Sequence, residues 1–458
     1  MKQAAQYAEQ HFNDFVEKLK TLVRIPSVSF DGYPKEEVAR SAKAVASLLK
    51  EEGLENVEIL QVDGGHPYVY GDWLHAQGKP TLLLYAHHDV QPIGREELWK
   101  TAPFEPVEKN GRLWGRGAAD DKAGVVIHTS AISSYLRTVG KLPINVKVII
   151  EGEEEIGSSN LEGFLKKYHK KLQGDVIILT DTGNFDTGIP TITTSLRGIV
   201  ANEVTVRVME RPLHSGSWGG PGPDPVIALA KVIAQLVDDD GKIAIPGIYD
   251  DVRAMNAVEE KSLASLNYRD EDYRRQAQLL SGVKILGGKE PPLKKMSRLP
   301  SIAVNAIQAS FRKGAPNIIN ESAWCKIGIR IVPDMDPKKT ETQLQDFLKK
   351  HVPWGAEVTF KGEQHAPWWI TNPEGPAFQK AASALTRAFG RDCVFKGEGG
   401  SIPFVGPFAA VLGGAPALLI GIEDPYTNAH AENESVDLGD LRKSILGAIY
   451  LYEELAQG

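Results

Sequence analysis

The chain has 458 residues, more than one hydrophobic core usually organises, so we expect two domains. Hydrophobic residues make up 42% and charged residues 24%, which is typical of a globular protein and excludes a disordered one. The net charge of −7, without a basic block, argues against nucleic-acid binding.

The N-terminal segment is charged and amphipathic, and its apolar spacing predicts a helix over 6–23. It lacks the apolar core of a signal peptide, and the chain has no apolar run of about 18 residues. We therefore expect a cytoplasmic protein without a membrane span. Helices are also predicted over 35–52 and 122–140. Three apolar runs predict strands buried on both faces: 81–86, 145–150 and 175–180.

The middle of the chain has the order β-α-β-β-α-β, which predicts a ferredoxin-like α+β sandwich. The predicted strands and helices, in chain order, are 202–209, 224–237, 301–310, 323–332, 336–351 and 357–361. A charged insertion of helices and loops, 239–300, interrupts them; a solvated surface decoration is the alternative interpretation. A helix at 376–389 and a strand at 416–422 then return to the first pattern.

We therefore predict an α/β domain with a mainly parallel sheet flanked by helices, formed by residues 1–196 and 366–458. Residues 197–365 form the inserted sandwich, for which the family resemblance described below implies a lid and dimerisation role. The two cysteines are too few for a disulfide framework or a thiolate zinc cage. A metal site in this chain must therefore use His, Asp and Glu.

Four apolar strands each lead into residues that could bind a metal. The first ends at His87, the second runs into the acidic segment 151–155, the third reaches Asp181, and the last leads to His430. Asp120 lies just before the helix at 122–140. Taken one at a time, these residues have simpler structural interpretations: a histidine at a strand end, a solvated acidic face or a helix cap. In open α/β sheets, ligands bind at the carboxyl ends of the strands. Because a potential metal-binding residue follows each of four strands, the set as a whole predicts a metal site.

The residue types fit a pair of divalent ions. Zn²⁺ and Mn²⁺ both take imidazole and carboxylate ligands. Two ions about 3.5–4 Å apart need a bridging carboxylate, and a further carboxylate is needed as general base. The sequence supplies these groups.

The chain resembles the di-metal peptidase and deacylase family of carnosine-type dipeptidases, carboxypeptidase G, acetylornithine deacetylase, succinyl-diaminopimelate desuccinylase and aminoacylase. The matching motifs run the length of the chain: YAHHDVQP (85–92), GRGAADDKAG (115–124), EGEEEIGS (151–158), LTDTG (179–183), SLRG (195–198), LHSGSWGG (213–220), RIVPDMDP (330–337), EGGSIP (398–403) and NAHAENE (428–434). The set is specific, although a single motif such as His-x-Asp is weak.

The resemblance implies that His87 and Asp181 hold one metal, that Glu155 and His430 hold the other, and that Asp120 bridges them. It also implies a cis peptide between Asp120 and Asp121. The metal site would use Zn²⁺ first, with Mn²⁺ as the alternative.

Two further acids have roles by the same resemblance. Asp89 accepts a hydrogen bond from the His87 imidazole, and Glu154 is the general base for a water that bridges the metals. His88, where tyrosine is common in the family, receives no role.

In the inserted domain, the resemblance implies that His214 reaches the partner's active site in a homodimer and that Arg330 pairs with the substrate's carboxylate. Gly399, Gly400 and Ser401 match a loop that contacts the substrate. The function implied is hydrolysis of the amide bond of dipeptides or short peptides. The alternatives are an N-acyl amino-acid deacylase with the same site and, from another class, a metal-stabilised binding protein without catalysis.

Overall fold

A computed structural model describes residues 1–363, 365–402 and 404–457, apart from the side chain of Val258. The chain divides into two compact units. The first comprises Met1–Thr194, Thr371–Lys396 and Ile402–Gly458, and the second comprises Ser195–Ile370 and Gly397–Ser401. The segment Gly397–Ser401, which the sequence analysis placed in the first domain, groups with the second unit. The roles assigned to the two domains stay predictions.

The helices in chain order are α1 (Lys2–Gln10), α2 (Phe12–Val23), α3 (Lys35–Glu51), α4 (Lys122–Val139), α5 (Leu161–Tyr168), α6 (Ser215–Trp218), α7 (Pro225–Ala234), α8 (Ala257–Ser265), α9 (Asp270–Gln276), α10 (Pro292–Ser297), α11 (Pro337–His351), α12 (Pro376–Phe389), α13 (Val405–Val411) and α14 (Leu438–Ala456). Short 3₁₀ turns lie at Glu96–Leu98, Glu154–Ile156 and Pro353–Gly355. Over the part of the chain that the structure describes, none of these helices is long and apolar enough to cross a membrane.

The strands in chain order are β1 (Glu55–Leu60), β2 (Tyr68–Trp73), β3 (Thr81–His87), β4 (Val107–Lys109), β5 (Arg112–Trp114), β6 (Asn145–Glu151), β7 (Val176–Gly183), β8 (Thr191–Leu196), β9 (Gly198–Arg207), β10 (Leu213–His214), β11 (Ser301–Gln308), β12 (Ile318–Ile319), β13 (Ser322–Ile331), β14 (Glu357–Gly362), β15 (Trp369–Ile370), β16 (Val394–Glu398), β17 (Ala417–Glu423) and β18 (Ser435–Asp437).

The central sheet of the first unit has the strand order β1-β2-β6-β3-β7-β17-β8. Its centre is parallel: β3 pairs with β6 and β7, and β17 pairs with β7. The strands towards its sides pair antiparallel, β1 with β2, β2 with β6, and β17 with β8. The parallel strands are the apolar runs that the sequence predicts, since both of their faces are covered. Their carboxyl ends therefore lie at one edge of the sheet.

Helices of the first unit pack on this sheet and on one another. α4 contacts β3 as well as α1 and α14, and α12 packs against α14. Asp121 caps α4 through a hydrogen bond from Gly124 N (3.2 Å), and Gly140 ends it in the left-handed region at φ 71°. The predicted single helix over 6–23 is wrong in one respect, because the chain breaks at His11 (φ −104°, ψ 15°) into α1 and α2.

The main sheet of the second unit has the order β11-β13-β9-β14, with every pairing antiparallel. α7 and α11 pack on it over a core of branched aliphatic residues. This order and the β-α-β-β-α-β succession are those of a ferredoxin-like sandwich. The predicted insertion, 239–300, contains α8, α9 and α10. The predicted fold class, an α/β domain with an inserted α+β sandwich, is confirmed.

Candidate metal centre

The predicted ligands of the first unit come from five places in the chain that the fold brings together. His87 is the last residue of β3, and Asp181 lies near the end of β7. Glu155 lies in the 3₁₀ turn after β6, and His430 follows β17. Asp120 lies just before α4, and its peptide bond to Asp121 is cis, as the resemblance implied.

These residues form two triads that share one carboxylate. His87, Asp120 and Asp181 make the first, and Asp120, Glu155 and His430 make the second; the ligand atoms of each lie within 4.8 Å of one another. Asp120 Oδ1 lies 3.0 Å from His87 Nε2, while its Oδ2 lies 3.1 Å from His430 Nε2. The two oxygens of Asp120 thus face different histidines, which is the arrangement of a bridging ligand.

The remaining distances complete each triad. His87 Nε2 lies 3.7 Å from Asp181 Oδ1, and His430 Nε2 lies 3.3 Å from Glu155 Oε2. His87 is fully buried, whereas 59% of the His430 side chain is exposed. The second triad is therefore the more open of the two.

The acids of the site repel one another. Burial raises the pKa of Glu154 and of Glu155 well above their ordinary range, and the charges of Asp181 and Asp120, respectively, add to the effect. Burial would also raise the pKa of Asp120, but hydrogen bonds with His430 and His87 outweigh it and hold that pKa below its ordinary range. The shared carboxylate is thus the one most firmly held in its charged form.

Asp89 orders both the first histidine and the acidic turn. The His87 Nδ1 atom lies 3.1 Å from the backbone oxygen of Asp89 and 3.4 Å from its carboxylate Oδ1. This leaves Nε2 of His87 facing Asp120. The Asp89 carboxylate also accepts hydrogen bonds from the backbone N–H groups of Glu154 (3.2 Å) and Glu155 (3.1 Å).

His88 points away from the ligands. Its Nε2–H donates to the backbone oxygen of Pro67 (3.0 Å), and its Nδ1 has no hydrogen-bond partner among the described residues. Burial lowers its pKa to about 4. This third imidazole is therefore a neutral, buried side chain outside both triads.

Glu434 is a residue whose role the sequence analysis missed. Its buried carboxylate accepts hydrogen bonds from Gly117 N (2.9 Å), Ala119 N (3.0 Å) and Asp120 N (3.1 Å), and pairs with Arg116 Nη1 (2.8 Å). It thereby holds the loop that carries the bridging carboxylate. The only sequence signal was its place at the end of the NAHAENE motif, four residues after His430.

Glu154 and Glu423 are acids near the triads that belong to neither. Glu423 ends β17, and burial, with the charges of Asp120 and Asp181, raises its pKa well above the ordinary range. The sequence analysis also missed Glu423. Glu154 and Glu423 are thus both candidates for proton transfer, of which the resemblance selects Glu154.

The donor set fits two divalent cations. Imidazole and carboxylate are the ligands that Zn²⁺ and Mn²⁺ accept, and the shared Asp120 has one oxygen for each position. Bound cations would also offset the repulsion that raises the pKa of Glu154 and Glu155.

In the second unit, Arg330 and Ser401 lie together. Arg330 Nη1 donates to Ser401 Oγ (2.9 Å), and that hydroxyl donates to the backbone oxygen of Arg197 (2.6 Å). Arg197 Nε in turn donates to Gly399 O (3.2 Å), and a side chain at Gly400 would enter open space. Burial and the charge of Arg330 lower the pKa of Arg197 to about 10. Arg330 and Arg197 thus form a cationic cluster, in which the charge of Glu398 partly offsets that of Arg197.

Among the described residues, no hydrogen bond or ion pair joins His214 to that cluster. His214 is exposed, at the end of β10, and its Nδ1 accepts a hydrogen bond from Ser217 N (3.2 Å). Pro403, the last residue of the EGGSIP motif, lies outside the described residues.

Comparisons with known proteins show the family to which the chain belongs. The model of the peptidase family M20/M25/M40 matches residues 83–456. The cysteinylglycine-S-conjugate dipeptidase of Corynebacterium striatum is 33% identical over 402 residues, which cover 87% of this chain and 86% of that protein. The Cys-Gly metallodipeptidase dug1 of Schizosaccharomyces pombe is 30% identical, covering 96% of this chain and 95% of its own.

Two solved structures are similar over the whole chain. The dipeptidase Dug1p from Saccharomyces cerevisiae superposes with a TM-score of 0.91 at 26% identity, covering 100% of this chain and 98% of that one. Human carnosine dipeptidase 1 gives a TM-score of 0.89 at 28% identity, covering 100% and 99%. The two triads, joined by one carboxylate, define a candidate two-metal hydrolase centre. The chain belongs to the peptidase family M20/M25/M40, which confirms the resemblance found in the sequence.

Proposed function

We propose that this protein is a metal-dependent dipeptidase with a two-metal site. The observation that carries the proposal is Asp120, whose oxygens lie 3.0 Å from His87 Nε2 and 3.1 Å from His430 Nε2. The similar proteins are named for cleaving dipeptides, either Cys-Gly or β-Ala-His, and their sequences match this chain over most of its length. Hydrolysis of a dipeptide amide bond is the reaction that this site and these relatives support.

The residues that would hold the metals are those of the two triads. One ion would lie with His87 and Asp181, the other with Glu155 and His430, and Asp120 would serve both. When bound, divalent ions supply a Lewis acid for the scissile carbonyl and lower the pKa of water. We assign Zn²⁺ first and Mn²⁺ second, because both accept this donor set.

Glu154 moves the proton in this account. Its carboxylate takes a proton from the attacking water and delivers it to the nitrogen of the leaving amine. Hydrogen bonds from Glu154 N and Glu155 N to Asp89 hold the backbone of that turn. Asp89 also orients His87 through Nδ1, so that Nε2 faces the bridging carboxylate.

The cationic cluster of the second unit is suited to the substrate's carboxylate. No carboxylate among the described residues pairs with Arg330, and burial lowers its pKa. A planar guanidinium binds a carboxylate through two parallel hydrogen bonds. We assign Arg330 to the free carboxylate of the dipeptide, with Gly400 and Ser401 lining that end of the substrate.

Turnover of a panel of dipeptides, measured beside matched N-acetyl amino acids, tests the proposal. The protein is stripped of metal and reloaded separately with Zn²⁺ or Mn²⁺. We expect dipeptide cleavage with little deacylation, and the more active loading names the working metal. Faster turnover of the N-acetyl amino acids would replace the dipeptidase proposal by a deacylase. No turnover of either series would contradict the proposed reaction.

A homodimer is part of the proposal. β11 is an edge strand of its sheet, and Val304, Ile307 and the following Phe311 expose 39%, 55% and 62% of their surface. An exposed apolar edge is a template for pairing with another strand. We assign it to a second copy of this chain. Sedimentation of the wild-type chain should give a dimer and Ile307→Lys should give more monomer; a monomeric wild-type chain would contradict the assignment.

His214 is assigned to the active site of the partner subunit. Glu154→Gln and His214→Ala are each expected to be inactive, and mixing them should restore part of the activity, because a mixed dimer contains one site with both residues intact. Subunit exchange is followed with a tag on one variant. Exchange without any recovery of turnover would place His214 in its own chain's site or outside the reaction.

We also assign the protein to the cytoplasm, whose reducing conditions suit the free thiols of Cys325 and Cys393.

A further inference from the structure

Glu153, in the middle of the acidic run, does not face the metal centre. Its side chain is fully buried and belongs to neither triad. The carboxylate accepts hydrogen bonds from His66 N (3.1 Å), Asn160 N (3.1 Å) and Asn160 Nδ2 (3.0 Å). The Tyr68 hydroxyl lies 3.2 Å from the same carboxylate. Glu153 thus ties the turn Glu154–Ile156 to the start of β2 and to the start of α5.

The opposite side of that turn is held by a second buried carboxylate. Asp89 accepts hydrogen bonds from Glu154 N and Glu155 N, and its Oδ2 accepts one from Ser29 Oγ (2.7 Å). Both Asp89 and Ser29 are buried. The two residues with proposed roles in proton transfer and metal binding therefore sit on a backbone fixed from both sides.

The two anchors are connected through one more pair of residues. His66 Nε2 donates to the backbone oxygen of Ser29 (3.0 Å), and the backbone N–H of His66 donates to Glu153. The hydrogen bonds therefore close a ring: Asp89 to Ser29, Ser29 to His66, His66 to Glu153, and Glu153 back to Asp89 through the turn. A closed ring resists displacement of the turn in a way that a single contact does not.

We infer that Glu153 is a positioning residue for the dipeptidase reaction, acting with Ser29 and His66 to fix the turn that carries Glu154 and Glu155. This rests on the proposed function for the roles of those two acids. The single proton of the Tyr68 hydroxyl lies closer to Glu151 Oε1 (2.8 Å) than to Glu153. A carboxylate is required because the three other described partners of Glu153 are N–H donors: His66 N, Asn160 N and Asn160 Nδ2. An amide at this position would turn a donor NH₂ towards one of those donors.

The test is Glu153→Gln, with kcat and KM measured on a dipeptide and Zn²⁺ titrated against a chromogenic chelator. We expect kcat to fall by about 10- to 100-fold, as for loss of a residue that orients a metal ligand, with KM nearly unchanged. One of the two Zn²⁺ ions should bind about 10- to 100-fold more weakly, since only one triad contains Glu155. The ion of the triad with His87 and Asp181 should bind as in the unmodified protein.

The stability of the metal-free chain separates positioning from a structural role. A residue needed only for stability would lower the midpoint of denaturation and leave kcat and both Zn²⁺ affinities of the folded protein unchanged, which would overturn the inference. Equal weakening of both ions would overturn it too. The matched control is Glu162→Gln on α5, whose side chain is 83% exposed, and this variant should match the unmodified protein.

Ser29→Ala supplies a second variant that removes only one hydrogen bond from the ring. It should change kcat and the same Zn²⁺ affinity in the same direction, but less, and it decides the question if Glu153→Gln does not fold. The effects of the two substitutions should be non-additive because they act on one turn. The unmodified chain and Glu154→Gln in the same assay separate the claims: no turnover by the unmodified chain contradicts the proposed function, and full turnover by Glu154→Gln contradicts the role of Glu154. If Glu154→Gln is inactive and Glu153→Gln and Ser29→Ala are both fully active, only this inference fails.

Discussion

The two units of the chain hold opposite kinds of charge at their predicted functional residues. The first gathers Asp120, Glu155 and Asp181 around two imidazoles, and burial raises the pKa of Glu155 well above its ordinary range. The second gathers Arg330 and Arg197, for which burial lowers the pKa. The carboxylates of the first cluster are suited to binding cations, and the guanidinium groups of the second are suited to binding an anion. In the proposed function, residues of the first cluster would hold the metal ions that act on the amide of a dipeptide, and the second cluster would take its free carboxylate.

The units also differ in the hydrogen bonds that their predicted functional residues make. Asp120 is fixed by the hydrogen bond from its N–H to Glu434, and Glu154 and Glu155 by those to Asp89. Arg330, by contrast, has a hydrogen bond to Ser401, and His214 one from Ser217. From the proposed roles we expect substitutions of the metal-triad residues to abolish the reaction and substitutions of Arg330 to weaken substrate binding.

The largest effect is expected for Asp120→Asn. An amide has one oxygen and one NH₂ group, so it cannot serve two cations. Activity should fall by at least about 10⁴-fold, since both the metal chemistry and its geometry are lost. The metal content, measured by atomic absorption after dialysis, should drop below two ions per chain. Two tightly bound ions in this variant would contradict the bridging role.

Arg330→Lys should lower activity to an intermediate extent, and only through weaker substrate binding. A lysine keeps the charge but loses the paired hydrogen bonds, which costs about 2–3 kcal/mol and so lowers kcat/KM by about 30- to 150-fold. Most of the change should be in KM. Metal content should stay at the unmodified value, which is the control that separates the two clusters. A loss of metal in Arg330→Lys would break the comparison.

The smallest effect is on stability and involves His128, a buried histidine of α4 that neither cluster uses. Its Nε2–H donates to Tyr85 O (3.0 Å), its Nδ1 lacks a partner among the described residues, and burial lowers its pKa to about 4. The unfolded chain takes up a proton near pH 6.5 and the folded chain only near pH 4. His128 therefore does not lower the free energy of unfolding at neutral pH, but it lowers that free energy as the pH falls.

For the metal-free chain, that decrease amounts to about 2 kcal/mol at pH 5 relative to pH 7.5. His128→Phe should remove it, so the variant's free energy of unfolding should fall less between the two pH values. Urea denaturation at both pH values measures the difference. His169→Phe, a substitution of an exposed histidine, is the control. An unchanged pH dependence in His128→Phe would contradict the assignment.

The sequence predicted the parts of this molecule that local patterns determine. β3, β6 and β7 were found because both faces of each strand are apolar, and α12 because Pro376 begins it and Gly390 ends it in the left-handed region at φ 66°. α14 and β2 were not predicted: β2 contains Gly71 and Asp72, which are unusual in a buried strand. The candidate ligands were proposed because potential metal-binding residues recur at strand ends along the chain, and the family resemblance then divided them between two metals.

The missed residues act through the fold rather than through a local pattern. Glu434 accepts backbone N–H groups from a loop more than 300 residues away in sequence, for example that of Asp120. Glu423 faces the triads only because β17 pairs with β7. A sequence alone does not show which backbone donors a buried carboxylate will meet.

Glu154 is the proposed general base, and Glu423 offers a matched comparison because burial raises the pKa of both carboxylates. The measurement is dipeptide turnover and metal content for Glu154→Gln and Glu423→Gln, side by side. We predict that Glu154→Gln keeps two metal ions and loses about 10²- to 10⁴-fold in kcat, while Glu423→Gln keeps most of its turnover. Full turnover in Glu154→Gln, or the larger loss in Glu423→Gln, would contradict the account.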